Sequence, residues 1–182
     1  MHFLKAATIA ILSPLVSATC TPWSTPGTCT ATSSSCDFYT CLESKSGCGP
    51  TGYELGYALP FCNAITAVSS NLSVNGQAWY SATKLCLQNA LSVEASCETS
   101  CTNIYLNAFA SHVPCYLDSG FCELSGADLK VFFQVVGVAG VTSNDGLALF
   151  GAVLQGCVTK YQNGQVNMGW TKWLVRTLNG EI

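Results

Sequence analysis

Cys36-Asp-Phe-Tyr-Thr-Cys41-Leu-Glu-Ser-Lys-Ser-Gly-Cys48 sets three half-cystines within thirteen residues, and nine further cysteines are spread from Cys20 to Cys157. Half-cystines this crowded cannot all bridge one another, so most must reach partners far along the chain. The fold is then a grid of covalent ties. Twelve is an even number, and in an exported chain it argues for six disulfides. Zinc would want thiolates in short paired spacings, and no Cys-x-x-Cys occurs. Neither a metal nor a cofactor is expected.

Export is read from the start of the chain. Met1-His-Phe-Leu-Lys5 leads into an apolar run from Ala6 to Val16, and Val16-Ser17-Ala18 offers small residues where a signal peptidase reads. Residues 1–18 are therefore expected to be a signal peptide cut after Ala18. Its apolar run of about ten residues is too short to cross a bilayer as a helix, and no transmembrane segment is expected. Charged residues make up only 9% of the chain, ten acidic against seven basic, with no basic cluster. Nucleic acid and anionic membrane surfaces are poor partners for such a surface.

Residues 19–35 are rich in Thr, Ser and Pro and carry Cys20 and Cys29, which predicts an extended arm stapled to the body. Residues 36–162 read as one helical domain. Tyr53, Tyr57, Phe61, Ile65 and Val68 recur at three and four, one face of a helix, with a restart expected at Pro60. Trp79, Cys86, Leu87, Ala90 and Leu91 form the stripe of the next helix, with Ser73 or Asn75 as N-cap. Cys97, Cys101, Ile104, Tyr105, Ala108 and Phe109 predict a third over Ser96 to His112, stopped by Pro114. Cys115 to Leu124 is expected to be a loop. Ser125-Gly-Ala-Asp128 reads as a capping box opening a helix through Leu129, Phe132, Phe133 and Val136, ended by Gly137 and Gly140. A last helix of the domain runs from about Asn144 to Tyr161, its apolar face Leu147, Phe150, Leu154, Cys157, Val158 and Tyr161. Residues 163–182 form a C-terminal amphipathic tail with Trp170, Trp173, Leu174 and Leu178 on one stripe. The expected class is all-α: a compact, disulfide-braced helical domain with an extended N-terminal arm.

Candidate chemistry is sparse. His112 is the one histidine left after signal cleavage, and Ser111, His112 and Asp118 would be the parts of a hydrolytic triad. Adjacent helical residues point about 100° apart, and no nucleophile elbow is present. His112 is read instead as a residue at the C-terminal end of a helix. The carboxylates Asp37, Glu43, Glu54, Glu94, Glu98 and Glu123 are scattered; Glu94 and Glu98 are read as a solvated pair, and no calcium loop of alternating Asp and Asn occurs. Asn71-Leu-Ser73 is the one glycosylation sequon, placed between helices. No catalytic residue is assigned.

The spacings resemble those of the stanniocalcins. The resemblance rests on Cys36-x4-Cys41-Leu42-Glu43, on Gly76-Gln77-Ala78-Trp79 ahead of Lys84-Leu85-Cys86, and on Cys101-x13-Cys115-Tyr116-x5-Cys122. The twenty-three residues between Cys62 and Cys86 and the thirty-four between Cys122 and Cys157 also fit. It covers roughly Cys29 to Cys157. It implies the pairs Cys29 with Cys41, Cys36 with Cys62, Cys48 with Cys101, Cys86 with Cys115, and Cys122 with Cys157. Cys20 and Cys97 have no counterpart, and their pairing with each other is the economical hypothesis. The family's dimer-forming cysteine lies beyond the matched region; here no cysteine follows Cys157, so a covalent homodimer is not expected.

Two functions follow as expectations. The resemblance implies a non-enzymatic secreted ligand or protein inhibitor that shows a rigid helical surface, with Trp170 and Trp173 as possible contacts, to an extracellular protein partner. The low charge and the aromatic residues Phe132, Phe133, Trp170 and Trp173 motivate the alternative, a secreted effector or carrier module with an apolar pocket between helices. A large closed pocket would favour the carrier; tryptophans exposed on a flat face would favour protein recognition.

Overall fold

The computed structural model describes residues 20–166 and Trp170. Residues 1–18, expected to be a signal peptide, and Trp173 lie outside them. Among the described residues seven α-helices follow one another: α1 (Asp37–Ser46), α2 (Leu59–Val68), α3 (Val74–Ala90), α4 (Ser92–Ser96), α5 (Cys101–Asp118), α6 (Gly126–Thr142) and α7 (Asn144–Gln162). There is no strand among the described residues, only an isolated bridge between Pro22 and Cys97. The class is all-α with disulfide bracing.

All twelve cysteines are paired: Cys20–Cys97, Cys29–Cys41, Cys36–Cys62, Cys48–Cys101, Cys86–Cys115 and Cys122–Cys157. These are the five pairs that the resemblance implies and the sixth left over from it. Every bridge lies within one chain. The ties run arm to α4, arm to α1, α1 to α2, α1 to α5, α3 to α5, and the turn after α5 to α7. Helix α6 carries no cysteine and is held by packing and caps alone.

Several local rules act as the sequence suggests. Ser73 caps α3 by accepting from the Gly76 N–H at 3.1 Å, and Ser143 caps α7 in the same way. Ahead of α2 the backbone opens into a single π-turn, Glu54–Ala58, in which the Leu59 N–H donates to the Glu54 carbonyl. Pro60 explains it: a proline ring collides with the carbonyl four residues back, and a wider turn moves that carbonyl aside.

Others yield to tertiary structure. Pro114 does not stop α5, which continues to Asp118. The last turn holds Cys115, bridged to Cys86, and the buried Tyr116, and this anchoring offsets a helical proline's cost of about 3 kcal/mol. Cys115 and Tyr116 are thus helical, and the expected loop shrinks to the turn around Phe121–Glu123. Cys97 is extended (φ −120°, ψ 140°) and does not share a helix face with Cys101. It meets the arm instead. Gly137, at φ 70° and ψ 168°, is non-helical and does break the helix as expected, a second helical stretch following it within the range given for α6. On α7 the buried face is Leu149, Phe150, Val153, Cys157 and Val158, while Leu147 and Leu154 are exposed. Phe150, Cys157 and Val158 of the expected face are thus buried, and packing turns the face towards Leu149 and Val153 and away from Leu147 and Leu154.

Buried side chains form two clusters. One gathers Trp79, Tyr80, Tyr116, Phe121, Phe132, Phe150 and Val153 between α3, α5, α6 and α7. The second gathers Phe38, Tyr39, Leu42, Tyr53, Leu91, Ile104 and Ala108 between α1, α4 and α5. The two meet along a seam of aromatic rings.

Candidate functional site

That seam does not close completely. A cavity of about 60 Å³ lies in it, with walls from both clusters: Tyr39, Tyr53 and Cys62 on one side, Trp79, Tyr116, Phe132 and Phe150 on the other. Towards solvent the lining passes to the half-buried Tyr57, Phe61, Ile65, Leu87 and Val136. The enclosed space is well below the 300–1,000 Å³ of a typical small-molecule pocket. It can hold the end of a ligand, with the remainder lying along the cleft.

Helical spacing puts these rings together. Tyr53, Tyr57 and Phe61 follow one another at four residues through the π-turn into α2, with Tyr53 stacked on Tyr57 and Tyr57 tilted against Phe61 at 4.6 Å. On α5, His112 stacks on Phe109 at 5.3 Å and meets Tyr116 edge-on at 5.7 Å. Trp79 takes Tyr116, Phe121 and Phe132 edge-on within 6 Å. Such contacts fix the walls in place.

Helix α3 brings a cluster of polar groups to the lining. Lys84 is 6% exposed, yet no carboxylate pairs with it; the ion pair among the described residues is Lys160–Asp118. Its ammonium donates to Thr66 Oγ1 at 3.3 Å and sits 4.7 Å from the centre of the Tyr80 ring. Burial lowers its pKa from the ordinary lysine value. The Tyr80 hydroxyl donates to the Cys62 carbonyl at 2.7 Å, which fixes the ring beneath the ammonium. Nearby, Trp79 Nε1 and Thr83 Oγ1 are buried and have no hydrogen-bond partner. A buried cation and two idle donors beside an apolar cavity suit an anionic, hydrogen-bond-accepting group.

The sequence points to this site only in part. Phe132 lines it. Phe133 does not; it is partly exposed and packs on Phe150. Trp170 is half-buried against the core, its indole N–H donating to the Leu124 carbonyl at 3.1 Å. Asn71 is exposed at the end of the turn Ser69–Asn71, as a glycan acceptor requires. Lys84 and Thr83 are not among the expected site residues: the buried stripe of α3 is Gly76, Trp79, Tyr80, Thr83, Lys84 and Gln88, while Ala90 is exposed. The spacing of Trp79, Thr83 and Lys84 was the available signal, masked because polar residues on a helix are read as its solvent face.

The parts of a triad are dispersed. Ser111 Oγ donates to the Ala108 carbonyl, Asp118 is 76% exposed on its side chain and bound to Lys160, and His112 is buried in mid-helix. The placing of His112 at a helix end is corrected by the length of α5. Glu94 is no solvated partner of Glu98 either; it is buried, and its carboxylate accepts from Asn107 Nδ2 at 2.6 Å. Comparison with models of protein families, with curated proteins and with solved structures finds no match to the chain.

Proposed function

We propose that the protein is an extracellular, non-enzymatic binding protein that holds one end of a small amphiphile in the aromatic cleft, an anionic head at Lys84 and an apolar body against Phe61, Ile65, Leu87 and Val136. The observation that carries this reading is a buried lysine without a carboxylate partner beside the unpartnered donors of Trp79 and Thr83. Six disulfides and the absence, among the described residues, of a helix long and apolar enough to cross a membrane are consistent with an extracellular site of action.

The test is calorimetric titration of the disulfide-intact protein with decanoate and with decanol. Decanoate should bind the more tightly, and Lys84→Met should weaken decanoate by ten- to a hundredfold, the about 1.5–3 kcal/mol of a charge-assisted hydrogen bond, while leaving decanol unchanged. Equal binding of the two ligands would remove the anionic head from the reading. No binding of either would remove the carrier reading altogether.

A second reading would then remain, that of a stanniocalcin-like secreted ligand or inhibitor acting on a protein partner. It is supported by the five bridges that pair as in that family and by apolar side chains, Val93 and Leu106 among them, standing exposed on braced helices.

A further inference from the structure

Away from the cleft, two carboxylates converge where α1 turns into the π-turn. Glu43, in the last turns of α1, and Glu54, the first residue of the π-turn, face each other across the loop 47–53. Gly47 and Gly49, at φ 61° and 81°, fold that loop back in a conformation side chains disfavour. One oxygen of each carboxylate is satisfied: Glu43 Oε1 accepts from the Gly49 N–H and Glu54 Oε1 from the Ser46 hydroxyl, both at 2.8 Å. The other oxygen of each is closed off from solvent and receives no hydrogen bond. Glu54 as a whole is 0% exposed.

Carboxylate oxygens of both residues and Cys48 Sγ lie within 4.8 Å of one another. The sulfur is bridged to Cys101, so it is neutral and no thiolate ligand. No basic side chain forms an ion pair with either glutamate among the described residues, and Lys45, their neighbour in sequence, is turned to the Gly27 carbonyl. Two carboxylates this close, each keeping one buried oxygen without a donor, are unfavourable unless positive charge stands between them.

We propose that Glu43 and Glu54 bind a calcium ion, which joins the end of α1 to the π-turn. The ligands on offer are hard oxygens, which excludes thiophilic metals. Two Ca–O bonds of about 2.3–2.6 Å bridge oxygens roughly 4.6–5.2 Å apart, whereas two Mg–O bonds of about 2.1 Å bridge less. With two protein carboxylates and water for the rest, the affinity belongs with the weak sites of extracellular modules, about 0.1–1 mM. This site is independent of the aromatic cleft and of the reading given to it.

The experiment titrates the disulfide-intact protein with CaCl2 and, separately, MgCl2, following heat of binding and thermal midpoint. Calcium should raise the midpoint saturably, with magnesium at least tenfold weaker. Glu54→Gln and Glu43→Gln should each weaken calcium at least tenfold, and Glu98→Gln, an exposed carboxylate elsewhere, should not. Without calcium, Glu54→Gln should melt no lower than the wild type because one of two facing charges is gone; Glu43→Gln, on the less buried side, serves where that variant fails to fold. No calcium response up to 10 mM, a full response retained in both glutamine variants, or magnesium binding as tightly as calcium would each overturn the assignment.

Discussion

His112 shows what burial does to a single titratable group. It is 3% exposed, packed between Phe109, Tyr53 and Tyr116, and its Nδ1–H donates to the Ala108 carbonyl at 2.7 Å. Burial lowers its pKa below the ordinary 6.5, and the Ala108 carbonyl opposes this only in part. In the unfolded chain the ring takes a proton near pH 6.5; in the folded chain it stays neutral to lower pH. The unfolded state therefore binds more protons below pH 6.5, and stability falls as pH drops from there towards the folded pKa, by at most about 1.4 kcal/mol per pH unit. His112→Phe should flatten that loss. The ring stack survives, and the Ala108 carbonyl keeps its bond from Ser111 Oγ. Denaturant unfolding at pH 7.5, 6.5 and 5.5 reads the slope, and an unchanged slope in the variant would place the proton elsewhere.

At the scale of elements, Asp128 ties the starts of two helices. Its Oδ1 accepts from the Ser73 N–H at 2.7 Å; its Oδ2 accepts from the hydroxyls of Ser73 and Ser125, at 2.8 and 2.6 Å, and from the Ser125 N–H at 3.1 Å. Ser73 caps α3 and Ser125 closes the capping box of α6, so one buried carboxylate fixes both entry angles. Gly76 lets it approach, since a Cβ there would run into the Asp128 carboxyl. Burial pushes the pKa of Asp128 up, but the bonds from Ser125 and Ser73 outweigh it and hold the group below the usual value. Its contribution is present above the unfolded pKa, about 3.9, and is lost as pH falls through the lower folded value. Asp128→Asn turns an N–H2 towards donors and should cost roughly 2–3 kcal/mol at pH 7 while removing part of the acid dependence below pH 4, as urea unfolding against pH would show. Half of this staple was legible: Ser125-Gly-Ala-Asp128 reads as a local box, and Ser73 as a cap. Their sharing of one carboxylate is a contact over 55 residues, which no local pattern encodes. The same distinction separates the helix positions, set by periodicity and caps, from the buried Lys84 and the facing Glu43 and Glu54, which depend on how separate elements pack against one another and not on any periodicity.

For the whole molecule, the bridges are not independent, and their order of importance does not follow sequence separation. Taken alone, Cys20–Cys97 closes 77 residues and would be worth about 4.5 kcal/mol of chain entropy, against about 3.8 for the 35 residues of Cys122–Cys157. Yet Cys29–Cys41 and Cys48–Cys101 already shorten the path from Cys20 to Cys97 to about 20 residues, which reduces its share to about 3.3 kcal/mol. No other bridge lies beyond Cys122, so the circuit closed by Cys157 stays at full length. Cys122 and Cys157 are also buried in the core, whereas Cys20 is exposed, so removing the former pair forfeits packing as well. The arm keeps further ties of its own: Glu98 N–H to the Thr21 carbonyl, Trp23 Nε1 to the Glu94 carbonyl, and Gln88 clasping Thr32 and Ser35. Replacing both cysteines of each pair by serine should therefore destabilise the Cys122–Cys157 variant more than the Cys20–Cys97 variant, despite its shorter span. Denaturant midpoints under non-reducing conditions decide it; a greater loss on removing Cys20–Cys97 would mean that the arm, and not the α7 bridge, closes the fold.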